Sequence, residues 1–283
     1  MNDSPRSPLI PVGELSERLA GGSPPVLLDV RWTLAGGSDP DGFRAGHLPG
    51  ARFLDLDRDL AAAPGLGGRH PLPDPADLQA ALRVVGLADG DDVVVYDGGP
   101  GLAAARAWWL LRWAGLPDVR VLDGGLPAWT ADPARPVEAG PAGPVDPGTI
   151  TVRPGGLPVV DADGAAAAAD APGAVLLDVR AAARYRGEME PLDPVAGHIP
   201  GAVNLPIADL MRADGRYRPP AEIAEQLDAA GVGRGAAVVA SCGSGITACQ
   251  LVLAAEQVGI AATLYPGSYS QWCALGRPVV TGG

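Results

Sequence analysis

The chain has 283 residues, 47% of them hydrophobic, enough for two domains with packed cores. A formal net charge of −12 opposes binding to nucleic acid or to an anionic membrane, so an anionic substrate needs a local cationic site. No apolar run is long enough to cross a bilayer, MNDSPRSPLI lacks an apolar leader stretch, and Cys242, Cys249 and Cys273 crowd into the C-terminal end. That cysteine pattern fits a reducing cytoplasm rather than a disulfide framework or a structural zinc site.

In chain order, VLLDV in residues 26–30 predicts a short buried strand, and LQAALRVVG (78–86) a helix closed by glycine. DVVVYD (92–97) is a second strand, AAARAWWLLRWAG (103–115) a second helix, and VRVLDGG (119–125) a third strand running into a turn. Residues 132–157 are rich in proline and glycine and read as a linker. The pattern then starts again. VLLDV returns at 175–179, AEIAEQLDAAG (221–231) is helical, AAVVAS (236–241) is a strand, ITACQLVLAAEQVG (246–259) a helix and ATLYPG (262–267) a strand. Strands alternating with helices predict an α/β fold with mostly parallel sheets flanked by helices.

Three landmarks recur in the same order. VLLDVR appears at 26–31 and 175–180, GHLPGA at 46–51 returns as GHIPGA at 197–202, and LDGGLPAW is echoed by LYPGSYSQW. Two tandem copies of one domain follow, at 1–131 and 158–283, joined by the linker.

Cys242 stands where a strand ends and a helix begins, the usual ligand end of an open α/β sheet. Gly243 and Gly245 let the loop backbone turn its N–H groups inward, beside a helix N-terminus, so an anion is favoured and a thiolate can act as nucleophile. The plain alternative is a small buried hydrophobe. Aligning the copies places Asp97 of DGGPGL opposite Cys242 of CGSGIT, so the first copy keeps the loop without a nucleophile. A Cys-dependent phosphatase would need arginine six positions beyond the cysteine, where this chain has Ala248.

The duplicated GH(L/I)PGA motif with a single active-site cysteine resembles the rhodanese superfamily, and CGSGIT is similar to the loop of 3-mercaptopyruvate sulfurtransferases. The resemblance implies two tandem rhodanese-like domains with the active site between them. It implies no metal or organic cofactor. It maps a Ser–His–Asp relay onto Ser244, His70 and Asp57, and a substrate arginine onto Arg184. Relatives often carry a second arginine after an acidic-Pro pair, but Leu192 follows Glu190-Pro191 here. Arg186 is the expected substitute, since it would share a face with Arg184 on an extended segment; a surface pairing with Glu188 or Glu190 is its alternative. Gly243, Gly245, Ile246 and Thr247 complete the expected substrate loop. His47 and His198 occur in both copies and are expected to serve the fold. Arg31 and Arg180 repeat likewise.

The implied reaction moves sulfur from 3-mercaptopyruvate onto Cys242 as a persulfide, releases pyruvate, and passes the sulfur to a thiol such as reduced thioredoxin, or to cyanide. Thiosulfate is the alternative donor, although a loop without basic residues suits a dianion poorly. A non-catalytic sulfur-binding or scaffold protein is the alternative of another class.

Overall fold

Two parallel sheets, one per half, make up the frame of this computed structural model, which describes residues 6–22 and 24–282. Residues 1–5, which open the segment expected to lack a leader, lie outside the described residues with Ser23 and Gly283. In chain order the strands are β1 (Leu9–Ile10), β2 (Val26–Asp29), β3 (Trp32–Thr33), β4 (Gly37–Ser38), β5 (Arg52–Phe53), β6 (Val93–Tyr96) and β7 (Val119–Leu122) in the first half. The second half holds β8 (Ala174–Asp178), β9 (Val203–Asn204), β10 (Ala237–Ser241) and β11 (Ala262–Leu264).

The first main sheet has the order β1-β7-β6-β2-β5 and the second β11-β10-β8-β9. Val159 bridges Leu264 in parallel, as Leu9 does Val121, so the second sheet keeps a remnant of the first strand. The expected α/β class and its parallel pairing are both present. Each VLLDV run is an inner strand, as its apolar β-branched character demands. The antiparallel β3–β4 ribbon has no signal in the periodicity and carries Trp32 towards the cleft.

Register fixes the site. Ser241 pairs with Asp178 at the end of β10, so Cys242 emerges at the C-terminal edge of the sheet. Helix Thr247–Gln257 starts directly after the cysteine loop and packs on helix Leu102–Trp113, which starts after the Asp97 loop. One continuous apolar core, including Trp108, Trp109, Leu251 and Val252, runs through both halves. Residues 132–157 contain no helix or strand, yet they are tied to the first half. Gly148, Ile150 and Arg153 donate backbone bonds to the Arg83, Leu87 and Ala114 carbonyls. A Cβ on Gly148 or Gly156 would collide with the Leu87 or Arg112 carbonyl, which is why this close-fitting strap needs glycine there.

The repeated polar residues hold matched turns. Arg31 forks onto Asp29 and donates to the Gly46 carbonyl, and Arg180 does the same with Asp178 and Gly197. His47 stacks on Phe43 and bonds its carbonyl, while His198 stacks on Tyr185 and bonds that carbonyl. Among the described residues no helix is long and apolar enough to cross a membrane.

Candidate active site

Cys242 is 2% exposed, and its Sγ accepts the Gly245 N–H at 3.1 Å. Gly245 has φ +80, and a Cβ there would collide with the Pro266 carbonyl; glycine alone allows this donor to face the sulfur. Ser268 supports the loop from the other side. Its Oγ accepts the Cys242 N–H at 3.1 Å, donates to the Tyr265 carbonyl at 2.8 Å, and lies 4.0 Å from Sγ. Ser268 is the one non-glycine residue with positive φ among the described residues, at 51°. The first half has Gly125 in the matching place, at φ 57°. A serine in this conformation carries a steric cost that the glycine of the first half avoids.

The Asp97 loop is the same cradle, closed on itself. The Asp97 carboxylate accepts N–H groups from Gly99, Gly101, Ala103 and Ala104 at 2.9–3.2 Å. Burial pushes its pKa up while those four donors oppose the rise. Those four donors are thus engaged by the chain's own carboxylate.

The first half closes over the cysteine loop with residues 65–72. The Arg69 N–H donates to Ser270 Oγ at 3.0 Å, and His70 Nδ1 lies 2.8 Å from Ser244 Oγ. The Ser244–His70 contact expected from the resemblance is therefore formed across the interface. Asp57 departs from expectation. Its oxygens accept the Trp32 indole N–H at 2.8 Å and the Ser38 N–H at 3.0 Å, and it makes no hydrogen bond to His70 among the described contacts. Trp32 packs edge-on against His70 at 5.6 Å while its indole N–H is held by Asp57 Oδ1. Asp57 acts on His70 through its charge.

Burial, then the nearby Arg106 guanidinium, lower the His70 pKa to about 4; Asp57 resists the shift and Arg69 adds to it. The ring is thus neutral at neutral pH. An NMR titration is expected to give His70 a midpoint near about 4, while a midpoint near the ordinary 6.5 would contradict this account of its surroundings.

Two guanidiniums face Gly243. A Cβ built there would lie 3.0 Å from Arg69 Nη2, and 3.5 and 3.8 Å from Arg184 Nη1 and Nη2. Arg184 is where expected. Arg186 is not: residues 182–185 form a helical turn, so positions two apart diverge instead of sharing a face. Arg186 is spent on Glu188 at 2.6 Å, with its side chain 40% exposed. Arg69 stands instead as the second cation. The signal for it was an arginine next to His70 in an otherwise uncharged loop of an acidic protein.

The Ile246 side chain is buried in the core, so Ile246 has only its backbone to offer the loop. Thr247 opens the following helix. Cys249 and Cys273 are free thiols like Cys242. Burial raises the Cys249 pKa to about 12, and raises that of Cys273 as well. No group of three or more His, Cys, Asp and Glu among the described residues is arranged to hold a metal ion.

A cysteine sulfur held by a loop N–H, a neutral Ser–His pair and two guanidiniums form a site of the size and charge for a small anion. The rhodanese-like domain family matches residues 11–132 and again 161–275. A Pseudomonas aeruginosa protein named as a 3-mercaptopyruvate sulfurtransferase is 44% identical over 97% of this chain and 98% of its own. A Mycobacterium tuberculosis protein named as a thiosulfate sulfurtransferase, SseB, is 41% identical over 93% of each chain. The crystal structure of Escherichia coli SseA, described as a 3-mercaptopyruvate sulfurtransferase with the rhodanese fold, superposes with a TM-score of 0.80 at 30% identity, covering 94% of this chain and 100% of that one. The chain belongs to the rhodanese-like family, and it carries the family's domain twice.

Proposed function

We propose that this protein is a sulfurtransferase that takes sulfur from 3-mercaptopyruvate onto Cys242 and passes it to a thiol. The observation that carries this reading is the meeting, at one glycine beside Cys242, of two guanidiniums from opposite halves with a neutral Ser244–His70 pair close by. In this reading residues 1–131 form a non-catalytic domain, 132–157 the connecting strap, and 158–283 the catalytic domain.

The cycle has two displacements. The Cys242 thiolate attacks the sulfur of the donor while Arg184 and Arg69 hold the donor's carboxylate and keto end through charge-assisted hydrogen bonds. The S–S bond forms, the C–S bond breaks, and its electron pair becomes the enolate of pyruvate. The proton of the donor thiol is moved to that carbon through Ser244 and His70. A neutral His70 can accept and return it; Asp57 tunes the ring by its charge. The loop amides, with the Gly245 N–H foremost, stabilise the negative charge on the persulfide. An acceptor thiolate then attacks the outer sulfur and releases the Cys242 thiolate. Reduced thioredoxin is the proposed acceptor, and cyanide would serve in an assay. Three free cysteines fit a reducing compartment, the proposed cytoplasm.

Thiosulfate as donor is the second reading, favoured by the name of the Mycobacterium tuberculosis relative and by the presence of two arginines at the site. Steady-state kcat/KM for the two donors decides between them. We expect 3-mercaptopyruvate to be preferred by roughly tenfold or more, because the arginines are already paired with carboxylates; faster thiosulfate turnover would overturn the choice.

A further inference from the structure

The two guanidiniums at Gly243 are not free cations. Asp193, with its side chain only 2% exposed, accepts from Arg69 Nη1 with Oδ1 and from Arg184 Nη2 at 3.3 Å with Oδ2. Glu190, its side chain 3% exposed, takes Arg184 Nε and Nη2 at 3.1 and 2.6 Å. Its backbone neighbours, the Leu192 and Asp193 N–H groups, donate to Glu190 Oε1 at 3.0 and 3.1 Å, which fixes the Asp193 segment in place. Arg180, stacked on Tyr269 at 3.9 Å, joins the same network through Glu190 at 3.4 Å. In the first half Arg31 stops at Asp29 and the Gly46 carbonyl among the described contacts. The extension is specific to the half that carries Cys242.

We infer that Asp193 is a positioning and specificity-determining residue, one that spaces Arg69 and Arg184 across the domain interface and cancels enough of their charge to favour a monoanionic 2-oxo acid over a dianionic sulfur oxyanion. The inference rests on the functional reading above and names what selects its donor. The geometry anchors Arg69 through Nη1 and Arg184 through Nε and Nη2, and leaves Arg69 Nη2 and Arg184 Nη1 facing Gly243. One carboxylate with an oxygen on each arginine is therefore a template for the fork that a substrate carboxylate would meet. The formal charges of Arg69, Arg184, Glu190 and Asp193 sum to zero. A monoanion loses little at such a fork, since its binding is directional hydrogen bonding to donors already in place. A dianion depends more on net positive potential, which the two carboxylates remove. The acidic total of −12 adds to that bias.

The test compares wild type with Asp193→Asn and Asp193→Glu in the full chain. The concentrations of pyruvate and of sulfate that half-protect Cys242 from alkylation are read, together with kcat/KM for 3-mercaptopyruvate and thiosulfate. In the wild type pyruvate should protect at the lower concentration. In Asp193→Asn, which removes one negative charge at nearly constant shape, the sulfate-to-pyruvate ratio of half-protecting concentrations should fall by about tenfold, and the donor preference should move towards thiosulfate by a similar factor. Asp193→Glu should keep the wild-type order. Equal changes for both anions in Asp193→Asn, the signature of a purely structural role, would overturn the inference. So would sulfate protecting the wild type as well as pyruvate does, a measurement that needs no variant to fold. Protection needs no turnover, so a wild type that binds these anions in the expected order yet transfers no sulfur would sink the functional reading alone.

Discussion

Replacing Cys242 with serine is expected to lower sulfur transfer by at least ~10⁴-fold, the scale on which enzymes lose activity with their covalent nucleophile. The fold should survive. Serine is close to cysteine in shape, and the loop is held by groups other than the sulfur: the Cys242 N–H on Ser268 Oγ, the Cys242 carbonyl on the Tyr269 N–H, and the Gly243 carbonyl on the Ser270 N–H. Oxygen cannot form the S–S bond that stores the transferred atom. Mass spectrometry after incubation with 3-mercaptopyruvate should show one added sulfur atom on Cys242 in the wild type and none in Cys242→Ser. The other thiols serve as internal controls. Cys249 is fully buried with its pKa raised to about 12, and Cys273 is also shifted up by burial, so neither offers thiolate at neutral pH. Sulfur found on Cys249 in the variant would overturn the assignment of the nucleophile.

What the sequence revealed and what it hid divide along a physical line. The duplication, the parallel α/β class and Cys242 at a strand end rest on contiguous strings whose meaning survives without coordinates, whereas the pairing of Ser244 with His70 is implied only by the family resemblance. Arg69 was hidden because its importance arises only when residues 65–72 of the first half close on a loop of the second. Arg186 was misread because face-sharing depends on local conformation: two positions apart means one side on a strand and different sides on a helical turn. Trp32 was hidden by a short ribbon with no periodic signature, and with it the diversion of Asp57 from His70. Ser268 was hidden because a left-handed serine looks like any serine in a sequence; its match with Gly125 in the other copy was the available clue.

The second large effect is expected at Arg106, a residue of the half without Cys242. It is 0% exposed and faces no carboxylate among its hydrogen-bond partners. Its guanidinium donates to the carbonyls of Leu60, His70 and Pro71 at 3.2–3.3 Å and to that of Gly245 at 3.4 Å. Burial lowers its pKa, and the Cys249 and Cys242 sulfurs oppose that shift. One buried cation thus ties the loop that carries Arg69 and His70 to the loop that carries Cys242. Arg106→Leu removes the donors and leaves those carbonyls in the interior. Each unpaired group costs about 1–3 kcal/mol, and partial rescue by water brings the net loss to about 3–5 kcal/mol. For a chain of this size that is a fall in Tm of roughly 10 °C. Loss of the positive charge also removes one of the causes that hold the His70 pKa down, so its midpoint should move up from about 4. Arg106→Lys separates the two roles, since it keeps the charge but cannot fork across several carbonyls. Its Tm should fall while His70 stays near about 4. A leucine variant that melts like wild type and leaves the His70 titration unmoved would mean that the two loops are held together by the apolar interface alone.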